Sequence, residues 1–351
     1  MSWFDTTQIG RIQLELTNYC NAFCPQCDRA ELISQYDKWT NRATNNLNNN
    51  HITLQNVKDW FGRYKWNNLQ FINYCGNVDE PTINPEIIEI TKWFNNILGD
   101  RNIAINIASN GGTRNEAFWQ ELGELSAANP RIRVTFGIDG LEDTNHIYRK
   151  NVNWDILQKN FRAYIGAGGN ASWQFIVFDH NKHQLEEIKQ RLDSEGFKGL
   201  KLLQSNRLDI PGQKEVNIVK KVKVPKWYDT TNGDNMAGKS VKNLRDKGET
   251  LSCVKCPAKL KSKNTAFHEE HGNIYVSALG YVTPCCWMGN PTELIKLWDS
   301  NPNTDPKLHN LYNTNLDNII NGNWWTHIDS QMQDYKLCVM KCKDLQGDTH
   351  I

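Results

Sequence analysis

Nowhere in the chain do ~18 apolar residues follow one another, the length a helix needs to cross a bilayer, so no membrane span is expected. Also missing is a basic start followed by an apolar stretch. The opening MSWFDTTQIGRIQLEL has neither, and no signal peptide is expected. Charge of one sign is not in excess either. Lys+Arg 40 stand against Asp+Glu 39, a formal net charge of +1, which gives no ground for a nucleic-acid or membrane surface. No internal repeat is visible. Hydrophobic residues reach only 39%, yet Trp 13, Tyr 11 and Phe 12 supply large packing groups, so a globular chain is expected. Asparagine runs such as Asn45, Asn46, Asn48, Asn49 and Asn50 read as solvated loop. At 351 residues the chain can bury a large core, as one large domain or two smaller ones.

Cysteine is absent from residues 76 to 252, and that gap is as informative as the ten cysteines around it. They form an N-terminal group (Cys20, Cys24, Cys27, then Cys75) and a C-terminal one (Cys253, Cys256, Cys285, Cys286, Cys338 and Cys342). Without a signal peptide the expected location is the cytoplasm. In that reducing compartment clustered cysteines mean metal or catalysis sooner than disulfides.

Between residues 11 and 203, short β-branched or apolar runs alternate with helical patterns. Strands are predicted at Arg11–Leu16, Leu69–Tyr74, Ile103–Ala108, Ile132–Ile138, Ser172–Phe178 and Leu200–Leu203. The helices predicted between them are Leu54–Tyr64 with Thr53 as N-cap, Pro85–Ile97 with Asn84 as cap, Glu116–Ala127, Trp154–Ala167 and Lys182–Glu195. This alternation predicts an α/β fold of βα units on a parallel sheet, and six units fit a partial, open barrel better than a closed one. Residues 1–207 are assigned to that barrel. Residues 208–250 mix Gly, Pro and Lys without period and read as a linker or loop region. Residues 251–351 are assigned to a small α+β domain, in which Ile274–Ser277 and Tyr281–Thr283 make a hairpin and Ile319–Gln331 a short helix.

Cys20-Asn-Ala-Phe-Cys24-Pro-Gln-Cys27 follows the first strand directly, at the end where parallel barrels build their active sites. Three thiolates on one loop can each hold one iron of a cubane, leaving the fourth iron open. A zinc site is the plainer alternative, but zinc knuckles usually bring a second CxxC pair nearby, and none follows before residue 75.

CNAFCPQC, within LELTNYCNAFCPQCDRA, has the CxxxCxxC spacing of the radical S-adenosylmethionine superfamily and resembles its first strand and loop. The resemblance implies a 4Fe–4S cluster on Cys20, Cys24 and Cys27 whose open iron is chelated by S-adenosylmethionine. Electron transfer to that cofactor then yields methionine and a 5′-deoxyadenosyl radical. By the same resemblance Phe23 lies near the adenine. Gly76-Asn77-Val78-Asp79-Glu80-Pro81 stands where the family has GGEP, with Val78 and Asp79 in place of the two glycines, so Gly76 and Glu80 are expected at the methionyl amine. Ser109 and Asn110, in a Ser-Asn-Gly-Gly turn, resemble the ribose-binding segment; alone they are merely a loop. Arg149, after Asp139-Gly140, is expected to pair with the cofactor carboxylate, a role suited to its fork of donors. Gln174 or its neighbour Val177 is expected to touch ribose or adenine. Cys75 reads best as a small buried hydrophobe; the sharper alternative is a thiol that returns a hydrogen atom to a substrate radical.

The later cysteines, with GYVTPC before Cys285 and NLDNIINGNWW before Cys338, resemble the SPASM/Twitch extension of the same superfamily. Its full form needs seven or eight cysteines, and six favour the shorter Twitch form with one auxiliary cluster, 4Fe–4S or 2Fe–2S. The ligands expected from the resemblance are Cys256, Cys285, Cys338 and Cys342, with Cys253 and Cys286 as spares. A structural zinc on four thiolates is the alternative. The expected activity is hydrogen abstraction from a small molecule or peptide, with an external reductant such as flavodoxin or ferredoxin. The first predicted strand begins at Arg11, so no separate peptide-recognition domain is expected before it, which tilts toward a small molecule or a peptide delivered by another protein. Two rivals remain: a non-catalytic zinc-binding module, and an iron–sulfur electron-transfer protein, which would need neither Glu80 nor Arg149.

Overall fold

The computed structural model describes residues 6–27, 29, 51–99, 101, 103–203, 272–300 and 305–331. The linker assigned to 208–250 and Cys253, Cys256, Cys338 and Cys342 lie outside the described residues. Six parallel strands carry the fold: β1 (Ile9–Leu14), β2 (Phe71–Tyr74), β3 (Ala104–Ser109), β4 (Ile132–Gly137), β5 (Asn170–Ile176) and β6 (Gly199–Leu203). Between them run α1 (Leu54–Phe61), α2 (Ile87–Leu98), α3 (Glu116–Ala128), the single turn α4 (Asn145–Tyr148), α5 (Trp154–Gly166) and α6 (Leu185–Glu195). The α/β partial barrel expected from the alternation is therefore present. Strands start or stop within about two residues of their predicted bounds, as is usual for element ends.

Side chains alternate across the sheet with period two, which divides its faces chemically. Ile12, Leu14, Ile72, Tyr74, Ile105, Ile107, Ile132, Val134 and Phe136 are buried on one face. The other face carries Gln13, Asn73, Asn106, Thr135 and Gln174. Asn106 Nδ2 donates to Asn73 Oδ1 at 2.8 Å and Thr135 Oγ1 donates to Asn106 Oδ1 at 2.8 Å. A polar inner face of this kind leaves room for a polar ligand at the strand ends.

Local chemistry explains the helix starts. Thr53 caps α1 as expected, in a reciprocal capping box with Asn56. Asn115 and Asn153 cap α3 and α5 through their side chains. The expected start at Pro85 with Asn84 as cap is corrected. Pro81–Ile83 forms a 3-10 turn, α2 begins at Ile87, and Glu86 at its N-cap makes no side-chain cap bond. Asn84 Oδ1 accepts Glu86 N at 2.8 Å, just short of the helix, while its Nδ2 donates to Leu16 O at 2.7 Å and to Ile52 O at 2.8 Å, tying three segments together. The predicted helix at Lys182 starts instead as a 3-10 turn and becomes α6 at Leu185.

The hairpin is observed as β7 (Gly272–Val276) and β8 (Val282–Thr283), antiparallel to each other. It does not stand apart from the barrel sheet. β7 pairs in parallel with β1, and one eight-stranded sheet runs β6-β5-β4-β3-β2-β1-β7-β8. All five β7 residues are buried, which a strand covered on both faces requires. Beyond it lie α7 (Pro291–Ser300), α8 (Leu316–Ile320) and α9 (Asn323–Gln331). The single helix expected over Ile319–Gln331 is thus two short helices, broken at Asn321-Gly322, where Asn315 caps the first. No helix among the described residues is long and apolar enough to cross a membrane.

His309 joins this last layer. Its ring stacks on Trp324 at 3.9 Å, and its Nε2 accepts from Trp298 Nε1 at 2.7 Å, which fixes a neutral imidazole. Burial pushes it down from 6.5 to about 3. The unfolded chain therefore takes up a proton below about pH 6.5 that the folded one refuses, and stability falls as pH drops. Between pH 6.5 and 4.5 the protein should lose up to ~1.4 kcal/mol per pH unit more than a His309→Gln variant, read as the difference in their denaturant midpoints.

Candidate active site

After Leu14 the chain turns across the C-terminal ends of the strands, and neighbouring loops fix the cysteine loop there. Phe23 N donates to Lys150 O at 2.9 Å, and Glu80 N donates to Tyr19 O at 2.9 Å. Asn110 Nδ2 donates to Asn21 Oδ1 at 2.8 Å. The loops after β2, β3 and β4 thus all touch the loop that carries Cys20, Cys24 and Cys27. Phe23, at 49% exposure, stands out from it.

Cys24 is buried, Cys20 and Cys27 half-buried. Burial pushes Cys24 up to about 11, against the pull of the Arg149 guanidinium, with Cys27 adding to the rise. Cys20 is raised further still by burial, then by Glu80, Cys27 and Cys24. The three thiols therefore sense one another in a poorly solvated place. Left to themselves Cys20 and Cys24 stay protonated; a cationic group at the loop would make thiolates of them.

Glu80 is wholly buried and bridges two loops. Its Oε1 accepts from Ser109 Oγ at 2.7 Å and Thr82 Oγ1 at 2.6 Å, and its Oε2 accepts from Asn110 N at 2.6 Å. Burial raises its carboxyl above the usual range while these donors pull it back. The turn it grips needs Gly111, whose φ of 68° is left-handed. Asn160 Nδ2 closes that turn from α5, donating to Gly111 O at 2.8 Å and Thr113 O at 2.9 Å. Glu80, Ser109 and Asn110, expected from sequence at one cofactor, are thus brought together.

Asp79 takes a different part. Its Oδ2 accepts from Leu16 N at 3.1 Å and Thr17 N at 3.3 Å, while its Oδ1 is buried without a partner. Glu15 returns the grip: its Oε1 accepts from Val78 N at 2.8 Å and its Oε2 from Tyr275 Oη at 2.5 Å. Gly76 lies underneath, where a Cβ would come within 2.9 Å of Asp79 O. Burial first, then Glu15 and Glu80, holds Asp79 well above the ordinary carboxylate range.

Arg149 is anchored by Asp139, its Nε donating to Asp139 Oδ2 at 2.6 Å; Asp139 Oδ1 accepts from Ile176 N at 2.6 Å. The guanidinium lies over Gly137, where a Cβ would stand 2.6 Å from Nη2. Gly137 pairs with Gln174, so that predicted residue lies beside it on the polar face. Arg149 Nη1 reaches Cys24 Sγ at 3.9 Å. Cys75, buried at the end of β2, is pushed up by burial, with Glu15 and Cys286 adding. Of the auxiliary ligands expected from sequence, Cys285 alone is described, half-buried beside Cys286. Sequence reasoning gave no role to Glu15, Asn18, Asp139 or Tyr275; an Asp at a strand end ten residues before an Arg was the one available signal.

Three cysteines on one loop fit the donor set of an iron–sulfur cluster. Among the described residues no three His, Cys, Asp or Glu side chains converge as ligands of one metal ion. In a cluster each thiolate binds its own iron, so such convergence is not needed. Asn18, two residues before Cys20 and 3% exposed, has both side-chain amide atoms unpartnered, which leaves a buried polar want at the same loop.

The sequence profile of the Radical SAM superfamily matches residues 14–192, just over half of the chain, including Cys20, Cys24, Cys27, Glu80 and Arg149. The chain belongs to the radical SAM superfamily. A search of curated protein sequences finds no match. Among solved structures, Streptococcus suis SuiB bound to precursor peptide SuiA is similar, with a TM-score of 0.55 at 13% identity over 92% of this chain and 67% of that one. SuiB bound to S-adenosylmethionine gives 0.55 at 12% over 94% and 72%. Histidine-tagged anSMEcpe with bound AdoMet gives 0.51 at 13% over 97% and 91%. At these identities the likeness shows the radical SAM fold alone.

The two adjacent acids should respond differently to neutralisation. Asp79→Asn keeps the acceptor for Leu16 and Thr17 and should unfold no earlier than wild type. Its advantage should grow with pH, because a carboxyl raised in the folded state costs stability as pH climbs past its unfolded value. Glu80→Gln puts an amide among donors and should cost about 1–3 kcal/mol. Denaturant titrations at pH 6 and pH 8 check both.

Proposed function

We propose that this radical SAM chain is an enzyme that cleaves S-adenosylmethionine reductively and abstracts hydrogen from a peptide. The observation that carries the reading is the cysteine loop, fixed at the strand ends with Glu80 on one side and Arg149 on the other. When bound, the 4Fe–4S cluster supplies one electron that breaks the cofactor's C5′–S bond, giving methionine and the 5′-deoxyadenosyl radical.

The chain's own residues bind and orient. Cys20, Cys24 and Cys27 hold the cluster and leave one iron open. Glu80 and the backbone at Gly76 take the methionyl amine, and Arg149 offers its outer N–H groups to the carboxylate. Ser109 and Asn110 meet the ribose, Phe23 the adenine, and Gln174 the space inside the polar face. The mouth is buried and poorly solvated, which strengthens each of these charged contacts.

A peptide substrate is favoured over a small molecule because SuiB is bound to precursor peptide SuiA, and anSMEcpe to Cp18Cys peptide, in structures similar to this fold. For the C-terminal part we assign residues 251–351 to a Twitch-like domain after the 208–250 linker. One auxiliary cluster, 4Fe–4S or 2Fe–2S, would sit on Cys256, Cys285, Cys338 and Cys342 and take up the second electron or position the peptide. A flavodoxin or ferredoxin serves as reductant.

Anaerobic reconstitution tests the reading. Protein loaded with iron and sulfide and reduced with dithionite should release 5′-deoxyadenosine from S-adenosylmethionine, and Cys24→Ala should release none. Deuterium from a labelled peptide substrate should appear in that nucleoside. A colourless protein holding zinc and no sulfide would establish the binding-module alternative instead.

A further inference from the structure

Two N–H donors approach the thiols of the cysteine loop. Arg149 Nη1 lies 3.9 Å from Cys24 Sγ, and Asn110 Nδ2 lies 3.8 Å from Cys20 Sγ, both oriented to donate. Neither donor is loose. Asn110 is held by Asn21 Oδ1, and its own Oδ1 accepts Gly112 N at 2.8 Å. Arg149 is held by Asp139, a fully buried carboxylate that is itself fixed by Ile176 N. Asp139 receives support on its backbone too: its N donates to Asn145 Oδ1 at 3.0 Å and its O accepts Asn181 Nδ2 at 2.8 Å. The guanidinium also has no freedom toward the sheet, since it lies against Gly137.

We infer that Arg149 and Asn110 set the reduction potential of the cluster carried by Cys20, Cys24 and Cys27, with Asp139 as the positioning residue that aims and tempers the Arg149 charge. This rests on the radical SAM reading above. Adding an electron makes the cluster more negative, so a cation and N–H donors at its thiolate sulfurs favour the reduced form. A buried carboxylate close behind the cation opposes that preference. The low dielectric of the mouth lets both charges act with little screening. Arg149 then serves three directions at once: Nε to Asp139, Nη1 to Cys24, and the remaining N–H groups to a ligand carboxylate. Lysine, which has no fixed fork, could not divide its donors in this way.

The test is an anaerobic redox titration of the reconstituted full chain, following the EPR signal that disappears in Cys24→Ala. Asp139→Asn removes a negative charge and should raise the midpoint. Arg149→Gln should lower it by about tenfold in the reduced-to-oxidised ratio, ~59 mV for one electron. If Arg149→Gln fails to fold with Asp139 left unpaired, the double variant Asp139→Asn/Arg149→Gln keeps the shape without either charge. Its midpoint should fall below wild type. Asn110→Leu should also lower the midpoint, by a smaller amount. Shifts of one sign in Asp139→Asn and the double variant, or midpoints equal to wild type in both, would overturn the inference while leaving the enzyme reading intact. A wild-type chain that takes up no iron and sulfide would overturn both.

Discussion

Carboxylates buried among backbone N–H groups hold the mouth of this sheet together, and the rest of the site depends on them. Glu15 takes Val78 N, Asp79 takes Leu16 and Thr17 N, Glu80 takes Asn110 N, and Asp139 takes Ile176 N. Each bond joins the loop after one strand to a neighbouring strand end or loop. Burial makes negative charge costly, and these donors compensate only in part, which is why Asp79, Glu80 and Asp139 are all raised. Burial in the same mouth keeps the Cys20 and Cys24 thiols protonated until a cationic group joins them. A fold that fixes its loops with acids therefore builds a place suited to an iron-bearing group, without a separate device for attracting it.

The parallel sheet was legible because its signals are local. β-branched runs such as Ile103–Ala108 alternate with helical patterns, and Thr53, named from sequence as a cap, behaves as its side chain dictates. What was misread depended on distant partners. Asn84 before Pro85 has the look of a cap, and its Oδ1 does accept Glu86 N. Its Nδ2, however, is held by the distant Leu16 and Ile52 carbonyls, and the helix starts two residues beyond the proline. The strand at 272–276 was found, whereas its neighbour was not. Nothing in five consecutive residues says that they will pair with a strand more than two hundred and fifty positions earlier.

The site divides in the same way. Cys20, Cys24 and Cys27 declare themselves by spacing, and Glu80 and Arg149 by resemblance. Their supports are silent: Glu15 reads as an ordinary strand acid, Asp139 as a loop acid, and Asn18 carries no signal at all. Asp79 is instructive because sequence alone shows it as a departure from a glycine-rich motif. The structure gives the departure a use, since a glycine there could not grip Leu16 and Thr17. The aspartate thus replaces backbone freedom with a side-chain clamp.

The placement of β7 beside β1 has a further consequence for the two cysteine groups. Cys286 N donates to Gln13 Oε1 at 3.2 Å, Asn77 Nδ2 donates to Cys286 O at 2.6 Å, and Tyr275 reaches Glu15. Asn77 is also the residue whose carbonyl lies 3.9 Å from Cys27 Sγ. One short motif after β2 therefore contacts both the first cysteine loop and the loop of Cys285 and Cys286. Because the hairpin belongs to the barrel's own sheet, that second loop has a fixed position relative to the first. A group held at Cys285 would inherit this rigidity through ladder hydrogen bonds, not through a flexible tether. The shared sheet thus fixes the separation of the two described cysteine loops within one chain.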